Sequence, residues 1–371
     1  LRLDMKIGLL TLPVETGYGS ILQAVALKTK LVDLGHDVTL IRRHVERKDS
    51  FLRITVRTIK KYIFRKPIIV QISKKYRDEF PIITKYTQPF IDKHLSPYTE
   101  FYYSSKSMKK INKLGFDAIV VGSDQVWRPG YVQNVADFFL YQIDNNIKKY
   151  SYAASFGTDE WLFTEKETSI CRDAIKYFLK ISIRESSTID LCYDKLGKKP
   201  EFVLDPTLLL DNKFYSGLIE KHESYREGKL CAYILNKKSL MPIVETYSKI
   251  LDTSSVFPHS EVEDVSAPLD LRVVPSVSDW LDSIRSSQAV CTDSFHGMAF
   301  SIIFRKPFIV VVNKERGAAR FFSLLNALNL EHRIVDESTD LNDLKPIDWG
   351  DVEDRLAKMQ GQSIQFLKSI Q

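Results

Sequence analysis

Ala289-Val290-Cys291-Thr292-Asp293-Ser294-Phe295-His296-Gly297-Met298-Ala299-Phe300 is the stretch that decides how this chain reads. Ala289 to Cys291 has the length and apolarity of a buried strand. Phe295, Ala299, Ile302 and Ile303 then recur at helical spacing as far as Arg305, before Lys306-Pro307 stops the pattern. A strand that turns straight into a helix puts its polar residues at the carboxyl end of a parallel sheet, where open α/β folds bind ligands. The helix start adds unpaired N–H groups and partial positive charge, which suit an anion. The plain alternative is that Thr292, Asp293 and Ser294 only cap the helix and His296 is a structural hydrogen-bonder.

Outward from that stretch the same plan repeats. Lys6 to Leu12 reads as a buried first strand, followed by a loop with Gly17 and Gly19. A helix from Ser20 to Leu34 turns Leu22, Ala26, Leu27 and Leu31 to one side, Gly35 closes it, and Asp37 to Ile41 is a second strand. Only two glycines stand in the loop, so it is not the dinucleotide fingerprint. Phe116 to Val121 is a strand that ends in Gly122-Ser123-Asp124-Gln125-Val126-Trp127. Ser123, Asp124 and Gln125 suit sugar hydroxyls there, and Trp127 suits a sugar's apolar face or a core.

Further strands are expected at Lys148 to Ala154, Ile181 to Ile183 and Phe202 to Thr207, with a Pro-broken stretch from Tyr76 to Tyr103 that is irregular with short helices. Arg184 stands where a strand gives way to a helix, placed either to fork a carboxylate or phosphate or to pair with Glu185 or Asp205. The second half alternates again, with strands at Lys229 to Leu235, Ser254 to Phe257, Ala289 to Cys291, Phe308 to Val312 and Arg333 to Val335. The expectation is an α/β protein of two doubly wound, Rossmann-like domains facing a cleft. Their bounds are residues 5–206 and 207–345, with a helix over 346–371 that packs across the boundary.

Composition narrows the class. The chain has 371 residues, 44% hydrophobic and 27% charged, which suits two globular domains. No apolar run approaches the roughly 20 residues that span a bilayer. No signal-peptide pattern opens the sequence, and the four scattered cysteines suggest free thiols in a reducing cytoplasm. Neither cysteines nor histidines show metal-ligand spacing, so no metal is expected.

The net charge of +6 is concentrated between Arg42 and Arg77, where only Glu46 and Asp49 oppose the Lys and Arg residues. Leu52, Val56, Ile59 and Ile63 recur at helical spacing inside that segment. Residues 52–77 therefore read either as a solvated helix or as a basic amphipathic patch for anionic lipid. No nucleic-acid motif accompanies the charge, so nucleic acid is not expected as a partner.

Several blocks together resemble the polysaccharide pyruvyl transferase family. They are Ile7-Gly8-Leu9-Leu10-Thr11, Gly17-Tyr18-Gly19-Ser20, Leu22-Gln23-Ala24, Val121 to Trp127, Ser182-Ile183-Arg184-Glu185, Val203-Leu204-Asp205-Pro206-Thr207 and Thr292 to Gly297. The resemblance implies a glycosyltransferase-B-like fold. It also implies transfer of a pyruvyl group from phosphoenolpyruvate to two hydroxyls of a sugar, as a ketal on a surface polysaccharide or its lipid-linked precursor. The enzyme would be cytoplasmic or peripheral at the inner membrane face, with no cofactor beyond that donor.

Under this resemblance His296 and Asp124 are the catalytic candidates. Arg184, Ser294, Arg316, Arg320, Ser123, Gln125, Trp127, Tyr18, Gly19, Ser20 and Gln23 are the binding candidates. Two departures stand out: Ser294 occupies a place where some members carry Arg, and Gly17 replaces the usual Asn before Tyr-Gly. The alternatives are a nucleotide-sugar-dependent glycosyltransferase and a non-catalytic sugar- or anion-binding protein.

Overall fold

Short apolar runs alternating with amphipathic helices build two parallel sheets. The computed structural model describes residues 4–44, 55–56, 58, 72–220, 226–312 and 317–371. The first half holds β1 (Lys6–Leu10), β2 (Asp37–Arg43), β3 (Tyr98–Tyr102), β4 (Ala118–Val121), β5 (Lys148–Ser151) and β6 (Phe178–Lys180), ordered β3-β2-β1-β4-β5-β6. Every pairing is parallel, with Ile7 opposite Val38 and Leu9 opposite Val120. A short parallel pair, β7 (Ser182–Ile183) and β8 (Glu201–Phe202), joins it through a bridge from Ala154 to Ile183.

The second half holds β9 (Leu230–Tyr233), β10 (Ser255–Val256), β11 (Ala289–Thr292) and β12 (Phe308–Val310), ordered β10-β9-β11-β12 and again parallel. The strands β4, β9 and β11 are buried along their whole length, as strands covered on both faces must be.

The longer helices are α1 (Tyr18–Asp33), α2 (Ile72–Ile83), α3 (Gln88–Leu95), α4 (Glu165–Ile175), α5 (Ile189–Leu196), α6 (Lys237–Ile250), α7 (Val277–Arg285), α8 (Phe295–Ile303), α9 (Ala319–Ala327) and α10 (Trp349–Lys368). Helix α8 is buried at all its positions, which matches an apolar run without a polar face. Helix α10 reaches back to the first half. Ser363 Oγ accepts from the Leu204 N–H at 2.9 Å, and Gln360 Nε2 donates to the Leu208 carbonyl at 2.6 Å. Its own residue Glu353 pairs with Arg305 of the second half.

Some expectations change. The stretch from Tyr76 to Tyr103 holds its expected short helices, α2, which continues through Pro81, and α3, and adds the edge strand β3, which was not expected. The expected strand at Arg333 to Val335 is a 3-10 turn over Glu331–Arg333 with one bridge from Ile334 to Val310. The strand expected over Phe202 to Thr207 stops at Phe202, because Asp205 caps a 3-10 turn, Pro206–Leu209.

Two members of the basic segment serve the fold. Arg42 lies 4.0 Å from both the Tyr98 and Phe101 ring centres, and buried Arg43 pairs with Asp137 at 2.9 Å. Most of residues 52–77, and with it the amphipathic pattern and its membrane reading, lies outside the described residues. Among the described residues no helix is long and apolar enough to cross a membrane.

Candidate active site

The site forms where two helix amino ends meet. The turn from β11 into α8 is fixed by its own polar side chains. Thr292 Oγ1 donates to the Tyr233 carbonyl at 2.6 Å and accepts the Ser294 N–H at 3.0 Å. The Asp293 carboxylate accepts the N–H groups of Leu235 and Asn236, at 2.7 and 3.1 Å, tying the turn to the end of β9. Ser294 is the N-cap of α8 and accepts from the Gly297 N–H.

Opposite it starts α1, whose N-cap Gly17 offers no side-chain acceptor. Neither helix carries an acidic residue in its first turn. The two ends touch: a Cβ on Gly19 would stand 2.1 Å from His296 Nδ1. Two positive helix ends with no carboxylate of their own therefore face one space.

Behind them runs a buried chain of charges. Arg184 NH1 donates to Asp205 at 2.5 Å, and NH2 donates to Asp124 at 2.8 Å. Arg320 NH1 lies 3.6 Å from Asp124, and His296 Nε2 lies 3.7 Å from Asp205. Burial opposes ionisation of Asp124, but the charges of Arg184, His296 and Arg320 outweigh it and hold the carboxyl below its ordinary range. Burial opposes Asp205 likewise. His296, Arg184 and the Thr207 hydroxyl overcome it and keep that carboxyl well below its ordinary range.

Burial and the neighbouring Arg184 charge push Arg320 down to about 10, so it stays a cation at neutral pH. Burial raises Glu185, which accepts from Ser155 Oγ. Asp124 also holds its backbone at φ 75°, a left-handed conformation costing of order 1–3 kcal/mol for a residue other than glycine. That turn aims its carboxylate back at its own Gln125 N–H and at Arg184.

The cleft measures about 450 Å³, within the range of small-molecule sites. Of the expected binding residues, Tyr18, Gly19, Ser20, Gln125, Ser294 and Arg320 line it, as do the catalytic candidates Asp124 and His296. Four others do not. Trp127 is fully buried, stacked on Phe139 with Nε1 bonded to the Phe138 carbonyl, so it is a core residue rather than a sugar platform. Ser123 is buried and donates to Asp205 at 3.0 Å, while Gln23 is buried and donates to Thr11 Oγ1 at 2.8 Å. Arg184 is taken up by its two carboxylates, one of them the Asp205 pairing that the sequence left open. Arg316 lies outside the described residues.

Asp205 itself was legible only as a possible partner of Arg184. Tyr131, Tyr233 and the rim from His259 to Asp264 also line the cleft without having been expected there. The run Glu261-Val262-Glu263-Asp264 is the one signal in the sequence that marks that rim. Among the described residues no three His, Cys, Asp or Glu side chains gather as a metal site.

A family model described as "Polysaccharide pyruvyl transferase" matches residues 18–315. The chain belongs to that family. No curated protein sequence matches it. Two solved structures share the fold of this family member over nearly its whole length. One is a putative UDP-N-acetylglucosamine 2-epimerase from Listeria monocytogenes, at 10% identity and TM-score 0.50, covering 99% of this chain and 91% of that one. The other is S. aureus MnaA with UDP, at 11% identity and TM-score 0.50, covering 97% and 91%. Medicago truncatula UGT71G1, complexed with UDP-glucose, aligns at 11% identity and TM-score 0.45, covering 100% and 99%. The shared fold is the two-domain, glycosyltransferase-B-like α/β architecture expected from the sequence.

Beside the two structures at TM-score 0.50, the phosphoenolpyruvate donor expected from the resemblance gives way to the nucleotide-sugar alternative. The titles of the two structures at TM-score 0.50 name UDP or a UDP-N-acetylglucosamine enzyme. Phosphoenolpyruvate-dependent ketal formation and phosphoenolpyruvate as a partner are set aside. The geometry gives a physical reason as well. Arg184, the first cation assigned to that donor, spends Nη1 on Asp205 and Nη2 on Asp124 and does not line the cleft.

Proposed function

We propose that the cleft binds a nucleoside-diphosphate sugar and that the protein transfers its glycosyl group. The carrying observation is the meeting of the α1 and α8 amino ends at Gly19 and His296. A diphosphate placed there receives N–H groups from both halves and lies within reach of Arg320. The hydroxyls of the sugar or ribose find acceptors in Asp124, Gln125 and the carboxylates of the rim. His296, whose ring lines the cleft in the first turn of α8, is the group placed to move a proton at the bond that breaks. Asp124 is a poor base at this place, since the neighbouring cations lower its affinity for a proton; its role is to hold Arg320 and accept a hydroxyl.

Calorimetry with UDP, UDP-N-acetylglucosamine, UDP-glucose, ADP and GDP tests the reading. Saturable binding of one diphosphate, followed by its release from the sugar in the presence of an acceptor, is expected. Binding of none of the five overturns it. Binding without turnover for any acceptor moves the protein to the non-catalytic reading.

A further inference from the structure

The two nitrogens of His296 face groups of opposite kind. Nε2 is buried, lacks a hydrogen-bond partner within bonding distance, and has Asp205 Oδ2 as its anionic neighbour at 3.7 Å. Nδ1 lies against Gly19 in the first turn of α1. Asp205 is itself fixed: Oδ2 accepts Ser123 Oγ and Arg184 NH1, and Oδ1 accepts the Thr207 N–H and hydroxyl at 3.0 and 2.7 Å. It keeps its charge through Arg184 and has no room to rotate. The charged groups around the ring are Asp205 and Asp124 from the first half, Arg184 bonded to both, and Arg320 from α9. Helix α1 presents Gly19 and Ser20, which are uncharged.

This arrangement decides which nitrogen of the neutral ring carries the proton. A bare Nε2 would turn its lone pair at a buried carboxylate, which repels it. A protonated Nδ1 would turn an N–H at the positive end of α1, which also repels it. Nε2–H with a bare Nδ1 satisfies both sides. Short of hydrogen-bond range now, the Nε2 to Asp205 gap closes with a movement of less than 1 Å to the roughly 2.7–2.9 Å of a charge-assisted bond.

We infer that Asp205 is the positioning residue for His296, accepting a hydrogen bond from Nε2–H and leaving Nδ1 as the nitrogen offered to the ligand at the amino end of α1. The ring therefore works from its Nδ1 side, against the diphosphate rather than against the sheet. Only the identity of that ligand rests on the function proposed above; the tautomer does not.

Nitrogen-15 NMR of the full chain with labelled histidine tests this without ligand or turnover. His296 is assigned by the signals that His296→Gln removes. At a pH where the ring is neutral, the wild type is expected to show protonated Nε2 and bare Nδ1, with the Nε2 proton downfield and slow to exchange. The opposite tautomer, or an even mixture, overturns the inference. A fast-exchanging Nε2 proton overturns the part given to Asp205, even if no variant of Asp205 folds. Asp205→Asn is expected to lose the tautomer preference, and its retention counts against Asp205. Added UDP should then shift Nδ1 and leave Nε2 nearly unmoved. An unmoved Nδ1 with the expected tautomer refutes the nucleotide reading and leaves the positioning role standing.

Discussion

Gly19 and His296 touch across the two halves of the molecule, so closely that a Cβ on the glycine would lie 2.1 Å from Nδ1 and 2.5 Å from Cγ of the ring. No rotamer of an added methyl relieves that overlap, because Cβ has no freedom of its own. Either the ring or the first turn of α1 must move. Gly19→Ala is therefore expected to reduce turnover by about a hundredfold, the scale of a 1 Å misplacement at a reacting group. The protein should keep its circular-dichroism spectrum. Near-normal turnover in that variant would remove His296 from the reaction.

Arg184 is the counter-ion of two buried carboxylates. Its removal in Arg184→Ala leaves Asp124 with only Arg320, at 3.6 Å, and Asp205 with only His296, at 3.7 Å, with an expected loss of about 3–5 kcal/mol. Urea unfolding measures this. A loss below about 1 kcal/mol, together with abolished ligand binding, would show that Arg184 serves the ligand instead of the fold.

Acid stability follows from Asp124 and Asp205. Both are held below the unfolded value of about 3.9, so the unfolded chain binds more protons in that window. Their contribution is complete above about pH 4 and is lost as pH falls toward their folded values. Glu185 has the opposite sign: burial raises it, so stability falls as pH rises through the interval above about 4.3. Urea midpoints across pH 3–8 should show Glu185→Gln gaining relative to wild type toward neutral pH. A constant offset between the two would refute the assignment.

Tyr18 ties the halves from beneath. Its hydroxyl donates to the Pro275 carbonyl at 3.0 Å, and its ring stacks on Trp280 with centres 5.2 Å apart. Tyr18→Phe keeps the stack and orphans the carbonyl. A loss of about 1 kcal/mol in urea unfolding is expected, with ligand affinity changed less than threefold.

What the sequence shows well is what periodicity carries. β1, α1 and β2, and the whole of β11 and α8, stand close to where their apolar spacing puts them. It shows edges poorly. Tyr98 to Tyr102 follows a proline and pairs on one side only, so it lacks the apolar signature of a buried strand. Arg333 to Val335 looks like a strand but makes a single bridge, because the 3-10 turn before it uses up the chain. In the site, the polar clusters at strand ends were visible, but their division of labour was not. Whether Trp127 faces sugar or core, and whether Arg184 meets a ligand or Asp205, depends on what the opposing strand brings. Asp205 shows the same limit: the exit of β8 displays a carboxylate, and only the fold supplies the histidine it faces.

The chain of charges behind the cleft has one more consequence. On the first half, Arg184 cancels only one of the two anions, Asp124 and Asp205. The remaining charge is answered by Arg320, which the other half supplies. Neither half is electrically complete by itself. Arg320 meets Asp124 and His296 faces Asp205 across the same seam, so both contacts depend on how the halves are seated. The four residues thus act as an alignment key, setting how the halves seat on each other before any ligand arrives.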